Sequence, residues 1–222
     1  DAFGGPDAAH PSFTPVQKAI SYSMTSFFTT GGIRGGKKKL DKFYPRSFNM
    51  GIRRDVYQQL EGFSAMRFGE DIDFSIRIFK GGYRCRLFPE AWVWHKRRTD
   101  FRKFFRQVYN SGIARINLYK KYPESLKLVH LLPMVFTVGV LFLLLLFIVG
   151  IVLGATVLRH CNQPFAGMIC GVALLPLVLY SLIIFVDASR QYNSLWIGLL
   201  SIRAAFTQLM GYGFGFIEAW WK

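Results

Sequence analysis

The sequence contains few cysteines and few acidic residues, and each shortage narrows the class of protein. Its three cysteines, at positions 85, 161 and 170, form no CxxC pair, and an odd number suits reduced thiols better than a disulfide framework. Aspartate and glutamate number 13 against 28 lysines and arginines, which gives a formal net charge of +15. This basic excess is unevenly distributed along the chain.

Charged residues are nearly absent from the second part of the chain. Residues 1–127 hold 24 of the lysines and arginines and 11 of the acids, whereas residues 128–222 hold 4 and 2. An uncharged run at 128–154 exceeds the roughly 20 residues needed to cross a bilayer. We expect membrane spans at about 131–153 and 165–186 and a third hydrophobic helix at 194–217. Arg203 leaves open whether this third helix crosses the bilayer or lies along its surface.

The distribution of basic residues predicts the orientation of the spans. The stretches HKRRTDFRKFFRQ and LYKKYPESLK precede the first span, whereas the loop after it offers only Arg159. Because positive residues favour the cytoplasmic side, we expect a multi-pass membrane protein whose front part is cytoplasmic. Nucleic acid is not an expected partner, since the basic residues adjoin a membrane span and no nucleic-acid-binding motif is present.

Apolar periodicity in the front part alternates between helix and strand, which is typical of an α/β domain. The first predicted element is a helix over 15–28 with Pro15 at its first position, followed later by a strand, a turn at Gly51 and a helix from Arg54. A further helix is opened by Glu70 and Asp71 and closed by GG at 81–82. The last elements are the short strands YRCRLF and AWVWH. The Gly- and Lys-rich segment TTGGIRGGKKKLDKFYPRS is expected to be a long loop.

Residues 98–127 are predicted to form an amphipathic helix and a linker. One face of this helix is apolar and the other is basic; the two sets are Phe101, Phe104, Phe105 and Val108, and Arg98, Arg102, Lys103 and Arg106. Such a pattern is typical of a helix that lies on an anionic membrane surface.

Three carboxylates, at Glu70, Asp71 and Asp73, lie at a predicted helix start. Acidic residues in a first turn complement the helix dipole, which explains them without any function. A carboxylate in this position could equally accept a proton from a hydroxyl as a general base.

A histidine and a basic run follow at the end of the last predicted strand. His95 could be a ligand of a divalent metal that stabilises a diphosphate leaving group, or simply a histidine that bonds to backbone. Arg97 and Arg98 could bind phosphate oxygens, or could belong to the positive charge beside the membrane.

Four segments, in order, resemble the second half of a family 2 glycosyltransferase catalytic domain. They are GGP at 4–6, SFNMGIRRDVYQQLEGF at 47–63, FGEDIDFSIRIFKGGY at 68–83 and PEAWVWHKRR at 89–98. The resemblance implies the C-terminal part of a Rossmann-like (GT-A) domain over 1–97. The helical region at 128–222 looks like that of membrane-bound members, in the bacterial inner membrane, that build surface polysaccharides or glycolipids.

The resemblance also implies roles for individual residues and partners. Asp71 matches the catalytic base, which deprotonates an acceptor hydroxyl for inverting attack on a nucleotide-sugar donor, and Glu70 would orient the acceptor or the base. The acceptor would be a lipid-linked molecule or a glycan. His95 matches the histidine of the metal and diphosphate site, and Arg97 and Arg98 would contact phosphate. The segment that borders the pocket is matched by Asn49, Gly51 and Arg53.

Two family motifs are absent or altered. No credible Asp-x-Asp metal motif is present, because DIDF at 71–74 lies inside the helix start. The ligands of the divalent metal, Mg or Mn, are therefore expected in an N-terminal half that this chain lacks, and the chain alone is expected to be inactive. The Gln-x-x-Arg-Trp motif of processive members retains Gln107 but has Asn110 and Ser111 in place of arginine and tryptophan.

Composition leaves one alternative open. The chain could be a non-catalytic membrane protein whose basic face binds anionic lipid or a partner in an export assembly.

Overall fold

The computed structural model describes residues 1–30, 43–156 and 163–222, so most of the predicted long loop lies outside the described residues. The strands are β1 (Ala2–Gly4), β2 (Asp7–Ala8), β3 (Met50–Ile52), β4 (Cys85–Leu87) and β5 (Val93–Trp94). The helices are α1 (Pro15–Thr25), α2 (Phe27–Thr30), α3 (Arg54–Gln59), α4 (Glu70–Lys80), α5 (Phe101–Lys121), α6 (Leu132–Ala155), α7 (Gln163–Tyr192) and α8 (Leu195–Trp221). Short 3-10 turns at Pro123–Ser125 and Leu128–His130 join α5 to α6.

The strands form two small sheets. In the first, β1 is central and pairs antiparallel with β3 and parallel with β4. In the second, β2 pairs in parallel with β5, so that Asp7 lies opposite Val93. An α/β front part is therefore present, but these mixed, short strands supply only a portion of the Rossmann-like sheet that was expected.

The predicted positions of the front helices are largely confirmed. The capping box of Thr14 and Gln17 and the proline at the first position start α1 where the sequence indicates. The expected single helix over 15–28 is broken at Ser26, whose extended backbone (ψ 142°) separates α1 from α2. The turn predicted at Gly51 is wrong, since Gly51 lies within β3. A Cβ there would be 2.3 Å from the Phe3 ring, so the glycine admits that ring.

Helix α4 carries two buried faces. Phe74 and Ile78 pack on the first sheet beside Ala2, while Ile76 packs on Leu118 at the end of α5. Fully burying a side chain such as Phe74 contributes roughly 1.5–3 kcal/mol. The helix is thereby fixed between the sheet and α5, which fixes its N-terminus as well.

Part of the apolar face of α5 is buried within the protein, whereas Phe105 of the same face is exposed. Phe104 and Val108 form a core cluster with Ile20 and Met24 of α1. The inner side of α5 also packs along α8, where Gly112 brings the two backbones together, because a Cβ there would be 2.2 Å from the Tyr212 carbonyl oxygen. The prediction that this face lies on a membrane surface is therefore corrected for Phe104 and Val108, which contact protein instead of lipid.

Two helical segments, Leu128–Ala155 and Phe165–Tyr192, are long and apolar enough to cross a membrane. Their apolar side chains are mostly exposed, unlike those of core helices in soluble proteins. The third hydrophobic helix is present as α8, but it packs along α1 and α5 and is not among the candidate spans of the described residues. Two spans would return the chain to its starting side, where α8 meets the front part.

Candidate active site

Asp71 lies in the first turn of α4, at an N-terminus that closely approaches α5. The cap residue Gly69 has a left-handed backbone (φ 83°), and a Cβ there would lie 3.3 Å from the Ala114 side chain and 3.4 Å from Leu118. Glycine fits this position because it adopts positive φ without steric cost and leaves space for α5. The unpaired amides of the first turn then favour negative charge at Glu70 and Asp71.

The Asp71 carboxylate is mostly buried, with 14% of its side chain exposed. Its Oδ1 accepts a hydrogen bond from the Ile72 amide at 2.8 Å, and Arg46 Nη1 lies 3.4 Å from its Oδ2. The adjacent Glu70 has no hydrogen-bond or ion-pair partner among the described residues. An oriented carboxylate next to an uncommitted one can accept a proton from a hydroxyl group.

Asp73, the third carboxylate of the cluster, has a different environment. Its side chain has 0% exposure, and it accepts from Lys121 Nζ at 2.6 Å, Tyr122 Oη at 3.1 Å and Arg77 Nε at 3.0 Å. Burial raises the pKa of Asp73, but these hydrogen bonds outweigh burial and hold its pKa below the ordinary value. Asp73 therefore ties α4 to α5 and faces away from solvent.

A second polar cluster forms around His95, just after β5. Arg97 Nη1 lies 2.5 Å from Asp7 Oδ2, while His95 Nδ1 lies 3.7 Å from the same oxygen and 3.3 Å from Arg97 Nη1. The Phe48 ring stacks on the imidazole with centroids 3.9 Å apart. Burial raises the pKa of Asp7, yet the neighbouring His95 imidazole and the Arg97 guanidinium together hold that pKa well below its usual range.

The segment 46–49 connects the two clusters. Arg46 contacts Asp71, and Phe48 contacts His95. Because Arg46 and Phe48 are two positions apart in sequence, their Cα atoms are separated by at most roughly 7 Å. Asn49 fixes this segment by donating from Nδ2 to the Ala91 carbonyl at 2.8 Å. Sequence reasoning missed Arg46, Phe48 and Asp7. Phe48 lies within the resembling segment 47–63 and Asp7 directly follows the GGP segment, but nothing in either stretch distinguished them as site residues.

The other predicted pocket residues are placed differently. Arg53 lies at the opposite end of β3 from Asn49 and pairs with Asp1 at 3.0 Å and with Asp55 at 2.5 Å. Gly51 supports the Phe3 ring, as described above. The structure thus brings Asn49 to the His95 cluster but leaves Arg53 and Gly51 outside it.

The two arginines of the basic run also separate. Arg97 is buried and forms an ion pair with Asp7, and its backbone carbonyl accepts a hydrogen bond from Gln17 Nε2 at 3.0 Å. Arg97 therefore holds the His95 cluster in place from inside the protein. Arg98 is exposed and donates from Nε to Gln107 Oε1 at 3.0 Å. The expected phosphate contact is therefore available to Arg98 and not to Arg97 in this arrangement.

His95 is the residue that the resemblance implies as a metal ligand. The described ranges contain no group of three or more His, Cys, Asp or Glu residues that could hold a metal ion. Metal-binding histidines commonly donate their second ring N–H to a carboxylate, but here Asp7 Oδ2 lies 3.7 Å from His95 Nδ1 and Arg97 Nη1 lies closer, at 3.3 Å. The other ring nitrogen of His95, Nε2, has no partner among the described residues. The cluster can thus offer one nitrogen to a metal, and further ligands would have to come from elsewhere.

Comparisons with known proteins indicate the family of the chain. The family model described as "Glycosyl transferase family group 2" matches residues 47–199, which include Asp71 and His95. A curated protein from Bacillus subtilis (strain 168), "Probable glycosyltransferase YdaM", is 32% identical over 59 residues. That match covers 27% of this chain and 14% of the relative's length. No solved structure gives a significant match.

Proposed function

The chain belongs to glycosyl transferase family group 2, and from this premise we propose that it carries out an inverting sugar transfer with Asp71 as general base. One observation carries the proposal. The Asp71 carboxylate is oriented by the Ile72 amide and Arg46 at the start of α4, in the family-matched region, and still has capacity to accept another hydrogen.

The chemistry follows from a carboxylate beside an acceptor hydroxyl. Asp71 takes the hydroxyl proton while the hydroxyl oxygen forms a bond to the anomeric carbon of the donor sugar. The bond between that carbon and the diphosphate oxygen breaks, and the nucleoside diphosphate leaves with the electron pair. Attack from the face opposite the leaving group inverts the anomeric configuration. Glu70, next to the base, would hold a hydroxyl of the acceptor.

The leaving diphosphate would lie on the His95 side of the site. Arg98, three residues after His95, is exposed, and its guanidinium can donate to phosphate oxygens. A bound divalent ion, with His95 as one ligand, would neutralise the charge that develops on the diphosphate. Asp7 and Arg97 would hold the imidazole in place, and the Phe48 ring would restrict its rotation.

Membrane anchoring is part of the proposal. We infer that α6 and α7 cross the bilayer as a hairpin and that α8 stays on the same, cytoplasmic, side as the front part. Support comes from the exposed apolar surfaces of α6 and α7 and from the packing of α8 on α1 and α5. The acceptor would then be a lipid-linked molecule or a glycan at the membrane surface.

The test is a charge-removing substitution in the complete protein in membranes. Asp71→Asn is expected to reduce release of nucleoside diphosphate from the accepted nucleotide-sugar by about 10²- to 10⁴-fold, with donor binding unchanged. Asp55→Asn is the matched control, because Asp55 is an exposed carboxylate paired only with Arg53 among the described residues. Retention of most activity in Asp71→Asn would show that Asp71 is not the base.

A further inference from the structure

An apolar groove runs along one side of α8. It has a volume of about 460 Å³ and is open along its length rather than enclosed. The lining consists mainly of apolar side chains, from Phe105 of α5 and from Leu199, Ile202, Phe206, Met210 and Phe214 of α8. Spacings of three and four residues place these α8 side chains on a single stripe.

The groove lies between α5 and a candidate membrane span. On one side, a Cβ at Gly211 would be 2.6 Å from Val108 of α5. On the other side, a Cβ at Gly213 would be 2.0 Å from Thr137 Oγ1 of α6. Phe206 itself contacts Phe136 of α6, with ring centroids 5.5 Å apart. An apolar surface in this position continues the apolar surface of the span.

A positive charge lies within this apolar lining. Arg203 is exposed, and its guanidinium lies over the Phe101 ring at 4.6 Å, with no acidic partner among the described residues. Arg102 and Arg106 follow Phe101 and Phe105 by one position each, which turns them about 100° away around α5, and neither lines the groove. Both are exposed, and neither side chain has an ion-pair partner in the part of the chain that the structure describes.

We propose that this groove binds a membrane lipid with a phosphate headgroup. The phosphate contacts Arg203 at the edge nearest α5, and the hydrocarbon chain runs from there along Phe206, Met210 and Phe214. The apolar lining accounts for binding of the hydrocarbon chain, and the guanidinium of Arg203, which has no acidic partner in the part of the protein that the structure describes, accounts for binding of the phosphate headgroup. The proposal goes beyond the glycosyltransferase function and does not depend on it.

The experiment uses photocrosslinking in lipid nanodiscs. The full chain is reconstituted in phosphatidylcholine that contains a small fraction of phosphatidic acid with a diazirine in its acyl chain. Crosslinks are expected on peptides from 199–214, and Arg203→Gln is expected to reduce them by about tenfold, as loss of one charge-assisted contact implies. A matching diazirine phosphatidylcholine should label the same peptides weakly and should be unaffected by Arg203→Gln.

Two controls separate groove binding from general charge and folding effects. Arg190→Gln removes an exposed arginine of α7 that does not line the groove, and labelling should be unchanged. Leu199→Glu places a negative charge in the groove and should abolish labelling, whereas Leu195→Glu, on the same helix but outside the lining, should not. Labelling spread evenly over α6 and α7, or equal labelling in the Arg203→Gln and Arg190→Gln variants, would overturn the proposal.

Discussion

Replacing Asp73 should destabilise the protein far more than replacing Asp71, although the two carboxylates are only two residues apart. Asp73 has 0% exposure and three hydrogen-bond partners, whereas Asp71 has 14% exposure and a single ion pair at 3.4 Å. In Asp73→Ala, the guanidinium of Arg77 and the hydroxyl of Tyr122 lose their buried acceptor. Leaving a buried charge without its partner costs about 3–5 kcal/mol.

The contribution of each partner can be ranked from its exposure. The Lys121 side chain is 45% exposed, so solvent screens its pair with Asp73 and Lys121→Met should cost about 1 kcal/mol or less. Arg77 is only 21% exposed, so solvent screens its pair with Asp73 less and more of the cost lies with Arg77, although its bond from Nη2 to the Gly62 carbonyl at 2.6 Å remains. For Asp71→Ala, the lost pair and helix-dipole contact together cost about 1–2 kcal/mol.

The assay is thermal unfolding of the full chain in one detergent, followed by the signal of its aromatic residues. For a chain of this size, about 1 kcal/mol shifts Tm by about 2–4 °C, so Asp73→Ala should lower Tm by about 6–20 °C and Asp71→Ala by no more than about 8 °C. Because the pKa of Asp73 is lowered in the folded state, its contribution is present above the unfolded pKa of about 3.9 and is lost as pH falls below that value. Equal Tm values for Asp73→Ala and Asp71→Ala would refute this reasoning.

Two further predictions concern the contacts between the front part and the hydrophobic helices. Tyr22→Phe removes a 2.6 Å hydrogen bond from Tyr22 to Asp187 of α7. Because a hydrogen bond to a charged group contributes about 1.5–3 kcal/mol, Tm should fall by several degrees. An unchanged Tm would show that the bond is not maintained in solution. Gly112→Ala should separate α5 from α8, since its Cβ would be 2.2 Å from the Tyr212 oxygen, and should cost about 1–3 kcal/mol. Gly139→Ala is the control, because nothing lies within 4 Å of its Cβ; a loss of stability equal to that of Gly112→Ala would contradict the close-approach argument.

Local patterns predicted the elements of the front part well because their causes are local. Pro15, the capping residues around it, and the glycine pair at 81–82 act within one helical turn, so their effect is visible in the sequence. The same holds for the two apolar runs that became α6 and α7, since length and the absence of charge are properties of a segment alone.

The sites were only partly predictable. Glu70 and Asp71 were found at the correct helix start, but Asp73 could not be distinguished from them, because all three share one turn and differ only in what packs against them. The pairing of Asp7 with Arg97 joins residues 90 positions apart, and it depends on the parallel pairing of β2 with β5. No local signal indicates such a pair.

The sequence by itself determined the division into a basic α/β front and an apolar helical region, the helix that presents Asp71, and the resemblance to a glycosyltransferase family. Tertiary structure decided which part of the apolar face of α5 is buried and that α8 packs back on the front part. It also decided that Arg97 is buried in an ion pair whereas Arg98 is exposed, and that Arg203 lies in a groove. The physical reason is that helix caps and hydrophobic length act along the chain, whereas burial and ion pairing depend on which distant surfaces meet.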